Sequence, residues 1–103
     1  MAYKIEVTSH ADKDLEEILT YIKEVLANVS AASSFLDAVE ECYSGLEASP
    51  FMFEECRDPH LRVLGYHRAV IRHYVMVYRV DETEKIVYIL RFFYGAREYE
   101  KLI

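Results

Sequence analysis

The chain has no tryptophan, two cysteines, two prolines and three glycines in 103 residues, and these scarcities exclude several classes of protein. Cys42 and Cys56 are too few for the disulfide framework of a small secreted domain, so free thiols in a reducing compartment are expected. The four histidines (His10, His60, His67, His73) have no C-x-x-C pair beside them, and no metal site is expected. No run approaches the ~18 apolar residues of a membrane span, and the opening MAYKIEV does not have the pattern of a signal peptide. The expectation is a cytoplasmic protein with no membrane partner and no cofactor. Repeats and low-complexity tracts are also missing, and 52% hydrophobic with 29% charged residues is a globular balance. One domain over residues 1–103 fits that length.

Charge is unevenly spread. Residues 1–60 hold 4 Lys/Arg against 13 Asp/Glu, whereas residues 61–103 hold 8 against 5. The net charge of −6 therefore conceals a basic C-terminal half, where an anionic partner would be met.

Tyr3–Thr8 alternates with a period of two and reads as a strand. Ser9 then offers a cap to a helix over 10–27, whose apolar stripe runs from Ala11 and Leu15 to Val25 and Leu26. Ser30 offers a cap to a second helix with Ala32, Phe35, Val39, Cys42, Tyr43 and Leu46 on its stripe, and Pro50 closes it. Helices so closely linked lie antiparallel as a hairpin. Glu16, Glu17, Glu40 and Glu41 fall on the polar faces, where solvated decoration is a simpler reading than acid–base chemistry.

Residues 51–60 read as a connection, after which the period returns to two. YHRAVI forms a strand, Arg72-His73 a tight turn, YVMVYRV a second strand, DETEK a polar turn, and IVYILRFFY a central strand. The order β-α-α-β-β-β predicts an α+β fold, a largely antiparallel sheet with the helical hairpin on one face. Strict alternation places Val75, Val77 and Arg79 on one face of their strand, and Val87, Ile89, Arg91 and Phe93 on one face of theirs. Both faces of each strand are apolar or aromatic. The helices cover one, so the other must meet a partner or be covered by the chain's own loops. Nine tyrosines suit a surface that is apolar and hydrogen-bonding at once, and also allow a homodimer.

The stretches YKIEVTSHADKDLEEILTYI, AASSFLDAVEECYSGLEASP, YVMVYRV and ILRFFYGAREYEKLI, in this order and spacing, resemble the RelE/ParE superfamily of bacterial type II toxins, which includes plasmid stabilisation proteins. The resemblance implies a growth-inhibiting toxin neutralised by a cognate antitoxin, which would dock by helix-in-groove or strand-addition modes. It also implies one of two targets. RelE-like members cut messenger RNA in the ribosome without metal, and ParE-like members bind and trap DNA gyrase.

Metal-free RNA cleavage needs a base, an acid and cations on the phosphate. On the RelE-like pattern Arg97, two residues after Gly95, and Arg68 on the preceding strand match cationic positions, and Tyr99 could stand in for a tyrosine whose own place falls on Ile103. Val75 occupies the place of a further arginine, after Tyr74. His67 or His73 would have to act as base. A net charge of −6 suits a phosphate-lined site poorly. The ParE-like reading is therefore favoured, with Tyr74, Arg79, Arg91, Phe93, Tyr94 and Arg97 as candidate partner-binding residues. The RelE-like endoribonuclease and a non-toxic binding module on the same fold are the alternatives.

Overall fold

A computed structural model describes residues 2–95. Its elements are β1 (Lys4–Val7), α1 (Ser9–Thr20), a π-helical turn (Tyr21–Val25), α2 (Val29–Ala48), α3 (Pro59–Val63), β2 (Tyr66–Ile71), β3 (Tyr74–Asp81) and β4 (Ile86–Tyr94). The strands form one sheet in the order β1-β4-β3-β2. The C-terminal three make the expected antiparallel meander. β1 joins it in parallel to β4, with Val7 opposite Ile89, because the helical hairpin carries the chain across the sheet between them.

Both helix caps lie upstream of the serines expected to provide them. Thr8, not Ser9, caps α1: its backbone is extended, and its Oγ1 accepts from the Ala11 N–H at 3.2 Å while donating to the Ile89 carbonyl at 2.8 Å. One hydroxyl thus ties the helix start to the sheet. Asn28, not Ser30, caps α2, its Oδ1 accepting from the Ala31 N–H at 2.9 Å.

The first helix also ends differently from its periodicity. The π-helical turn closes with the Leu26 N–H on the Tyr21 carbonyl at 3.1 Å, and Ala27 then breaks it with φ of 50°. A wider turn rotates later side chains out of register with the apolar stripe. Ile22 stays buried, whereas Val25 and Leu26, expected in the core, are exposed.

The main core lies between the hairpin and one sheet face. Phe35, Val39 and Leu46 of α2 meet Met76 and Tyr78 of β3 and Val87, Ile89 and Phe92 of β4. Tyr78 is fully buried, and its hydroxyl donates to the Pro50 carbonyl at 3.1 Å. His67 stacks on it at 5.3 Å between ring centroids, and its Nδ1–H donates to the Phe53 carbonyl at 3.1 Å. The pair fixes the start of the loop after α2.

Strict alternation fails in β4. Val77 faces Arg91 but the next residue, Tyr78, faces Ile89, so Leu90 is an extra, unopposed residue. A bulge of one residue swaps the faces of everything beyond it. Phe92 therefore joins Val87 and Ile89 on the helix side, and Phe93 leaves them for the other. The backbone freed beyond the end of β1 is satisfied from the helical side. Thr8 serves the Ile89 and Leu90 carbonyls, and the Asp14 carboxylate accepts from the Phe92 N–H at 3.1 Å and from Arg91 Nε at 2.7 Å.

The second sheet face is covered in part by the chain's own loop. The 51–60 stretch, expected as a plain connection, leads into α3, whose cap Asp58 accepts from the His60 and Leu61 N–H groups at 2.9 and 3.2 Å with Pro59 in the first turn. Leu61 and Cys56 form a second cluster with Val75, Val77 and Phe93.

Candidate functional site

The tight Arg72-His73 turn and the end of β4 meet at one end of the sheet. Arg72 takes φ of 58°, a left-handed conformation that glycine or asparagine usually fills. Gly95 takes φ of 65°, which glycine adopts freely, and its N–H donates to the His73 carbonyl, so the chain leaves β4 over this turn. Between them lies a groove of about 360 Å³ bordered by Arg68, Val70, Arg72, His73, Tyr94 and Gly95. None of its described lining residues is acidic. It is a cationic, aromatic-walled recess on the basic half of the chain.

Its members differ in how freely they can act. Tyr94 is 61% exposed, with its ring edge-on to Tyr74 at 5.4 Å. Tyr74 is buried against Phe35 at 5.0 Å, and burial pushes its hydroxyl pKa up. It packs against Tyr94 and also lines the groove. Arg68 is 17% exposed and already engaged: its Nε and Nη2 lie 3.0 and 2.9 Å from Glu54 Oε1. Arg72 donates to the Ser34 hydroxyl at 3.0 Å, a neutral partner that does not offset its charge.

The structure thus brings Arg68, Tyr74 and Tyr94 together, and places Arg79, Arg91 and Phe93 elsewhere. Arg91 is held by Asp14 beside α1, and that bond raises its pKa. Arg79 lies over the Tyr88 ring at 4.6 Å, toward the opposite end of the sheet. Phe93 is buried with Cys56 and Leu61. Arg97 and Tyr99 lie outside the described residues. Val75, at the place of the RelE-like arginine, is 2% exposed. His67 is buried, while His73 stands in the groove. Their separation by five residues is a spacing that zinc ligands use. No group of three His, Cys, Asp or Glu side chains that could hold a metal occurs among the described residues.

Sequence reasoning did not single out Arg72 or Val70. Two large cationic-type residues in a turn where small ones are usual was the available signal for Arg72. Val70 is 60% exposed and, with Arg72, separates the groove from a second cavity of about 440 Å³, on the α2 side of β2, walled by Ala38, Cys42, Met52, Phe53 and Ile71 with Glu41 and Arg72 at its border.

Comparison with known proteins places this geometry in a family. Residues 5–99 match the family model described as the ParE toxin of the type II toxin–antitoxin system parDE, and the chain belongs to that family. Solved structures with the same fold include the chromosomal ParDE toxin–antitoxin system of Pseudomonas aeruginosa (TM-score 0.70, 18% identity, 91% of this chain and 97% of that one). The archaeal RelE–RelB complex of Pyrococcus horikoshii (TM-score 0.63, 18% identity, 94% and 99%) shares it as well. So does a mutant of the E. coli toxin RelE in the free state (TM-score 0.62, 18% identity, 97% and 90%). No curated protein matches the chain significantly. No described helix is long and apolar enough to cross a membrane.

Proposed function

We propose that the chain is the growth-inhibiting component of a type II toxin–antitoxin pair, neutralised by a cognate antitoxin, and that it acts in the ParE manner by binding DNA gyrase without cutting nucleic acid. The family match over residues 5–99 carries this reading. The state of the cationic positions supports its ParE-like form. Arg68 is held by Glu54, and Val75 is a packed apolar residue where the RelE-like pattern has an arginine. A phosphate-cleaving site needs cations aimed at the phosphate, and an engaged guanidinium must first break its pair.

The endoribonuclease reading draws on one observation. His73, Arg72 and Tyr94 share the groove with Arg68, so a base and cations are within one recess. On that reading Arg68, Arg97 and Tyr99 would be the catalytic candidates.

The test is induced expression, with RNA 5′-end mapping and a supercoiling assay on purified gyrase. Growth arrest with intact messenger RNA and inhibited supercoiling is the expected result. Discrete cuts in ribosome-bound messenger RNA would replace it with the ribonuclease reading. An absence of growth arrest would leave a binding module on a toxin fold.

A further inference from the structure

The tip of the helical hairpin is apolar where the rest of the helical layer is charged. Residues 21–35 hold one lysine and one glutamate. By contrast, α1 carries Asp12, Lys13, Asp14, Glu16 and Glu17, and residues 36–48 carry Asp37, Glu40, Glu41 and Glu47. Val25, Leu26 and Val29 are 67%, 56% and 66% exposed, and Tyr21 is half-exposed beside them. An unbroken α-helical period would keep Val25 and Leu26 on the buried stripe. The π-helical turn places them outside it, and such turns recur at functional sites.

This tip adjoins the cationic end of the sheet. Beyond burial, the Tyr94 and Tyr21 hydroxyls help raise the Tyr74 pKa, so the three phenols are neighbours. From Val29 the chain enters α2, whose Ala31, Ser34 and Phe35 border a recess of about 200 Å³ together with Arg72 and His73. Arg72 also lines the larger groove, and neither cavity has an acidic residue among its described lining. Glu41 borders a further cavity with Arg72, but the guanidinium bonds to the Ser34 hydroxyl instead.

Tyrosine, arginine and aliphatic side chains with few other charges are the composition of a protein–protein interface core. The charge says what the partner must offer. It needs a carboxylate for Arg72 beside an apolar surface for Val25, Leu26 and Val29. A nucleic acid would answer Arg72 and leave the aliphatic tip in water. An anionic bilayer would take the tip but repel the acidic helices behind it.

We infer that this end of the molecule grips the target: the hairpin tip packs on an apolar patch of gyrase, and a gyrase carboxylate beside that patch pairs with Arg72. This rests on the gyrase-binding reading above and gives it a surface and a chemistry.

The test is binding of the full chain to immobilised purified gyrase by surface plasmon resonance, with supercoiling inhibition measured in parallel. Val25→Ser combined with Val29→Ser should weaken binding about tenfold or more, with the melting temperature retained. Arg72→Gln should weaken it about tenfold and flatten the salt dependence of the association rate. Val63→Ser is the control and should bind as the parent does. Val63 is 85% exposed on α3, which leads into Tyr66, at the far end of β2 from Ile71 and the turn. If a tip variant does not fold, saturation transfer from unlabelled gyrase to the isotope-labelled parent chain decides. It should be strongest at the Val25, Leu26 and Val29 methyl groups.

Undiminished binding by the folded tip variants, an equal loss in Val63→Ser, or saturation centred on other methyl groups would each overturn the inference. So would self-association of the parent chain, seen by sedimentation, that the tip variants abolish while gyrase binding persists, because the tip would then belong to a second copy. Tip variants that bind gyrase as tightly as the parent refute only this surface. A parent chain that does not bind gyrase refutes the gyrase reading, and this inference with it.

Discussion

Replacing Asp14 should destabilise the protein out of proportion to its place on a helix surface. Its carboxylate accepts from Arg91 Nε at 2.7 Å, Arg91 Nη2 at 3.3 Å and the Phe92 N–H at 3.1 Å. A hydrogen bond to a charged group contributes about 1.5–3 kcal/mol, while a fully exposed ion pair contributes under ~1 kcal/mol. The Asp14 and Arg91 side chains are 15% and 30% exposed, so solvent screening holds the pair toward the lower figure. Losing the partner of the Phe92 N–H adds ~1 kcal/mol or more, since that amide lies beyond the end of β1. Asp14→Ala should then cost about 2–3 kcal/mol. Asp14→Asn retains an acceptor for Phe92 and loses the charge, and should cost about 1 kcal/mol. Urea unfolding followed by circular dichroism reads this. At a slope of ~1–1.5 kcal/mol per molar, the Asp14→Ala midpoint should fall by about 2 M with the slope unchanged. A double-mutant cycle with Arg91→Ala isolates the pair. The reasoning fails if Asp14→Ala stays within ~0.5 kcal/mol of the parent, or if the two substitutions are additive. The bulge that Asp14 braces also sets which way Phe93 and Tyr94 point, so Asp14→Ala should broaden the Tyr94 resonances more than those of β2.

Two tyrosines in the core make a matched pair. The Tyr78 hydroxyl has the Pro50 carbonyl as partner, so Tyr78→Phe should cost about 1 kcal/mol, whereas the buried Tyr43 hydroxyl has none and Tyr43→Phe should be neutral or stabilising in the same urea assay. Burial pushes the Cys42 thiol up to about 11 from 9.0, so at neutral pH it should react with iodoacetamide far more slowly than a free thiol does. The unfolded thiol releases its proton near 9 while the folded one retains it, so this contribution to stability is complete below pH 9 and is lost between pH 9 and about 11. Cys42→Ala should therefore flatten the alkaline limb of a stability–pH curve. A methyl group on Gly45 would meet the Met52 sulfur at 3.2 Å, but that side chain is exposed and can give way, so Gly45→Ala should raise stability by about 0.5–1 kcal/mol through the helix preference of alanine.

The order of elements was legible in the sequence because each rests on a local period: two for YVMVYRV, near 3.6 for the stripe from Ala32 to Leu46. Two of the departures arise where a long-range partner overrides the local signal. Ser9 and Thr8 are equally good caps in isolation. Thr8 takes the role because its hydroxyl can also reach the Ile89 carbonyl, some eighty residues away. Strict alternation in IVYILRFFY is as good a strand pattern as the bulged one, and Thr8 and Asp14, some eighty residues away, favour the latter. α3 was the exception, since Asp58-Pro59 is a local cap and first-turn signal that periodicity alone passes over.

The groove was half legible for a related reason. Arg68 stands out by its match to a cationic position of the RelE-like pattern and Tyr94 as an aromatic residue beside Gly95, but neither signal says what a guanidinium is bonded to. Arg79, Arg91 and Arg68 look alike in the chain, and the fold gives them an aromatic ring, a helix carboxylate and a loop carboxylate respectively. Arg72 differs because its partner is a serine hydroxyl. A cation that interrupts an apolar strand must be matched by its own fold, whereas one in a turn at the sheet's end can be left for a partner. On this logic the residues to watch in this chain are those where the polypeptide accepts a conformational cost without local return. Arg72, held at positive φ in the turn that ends β2, is the clearest of them.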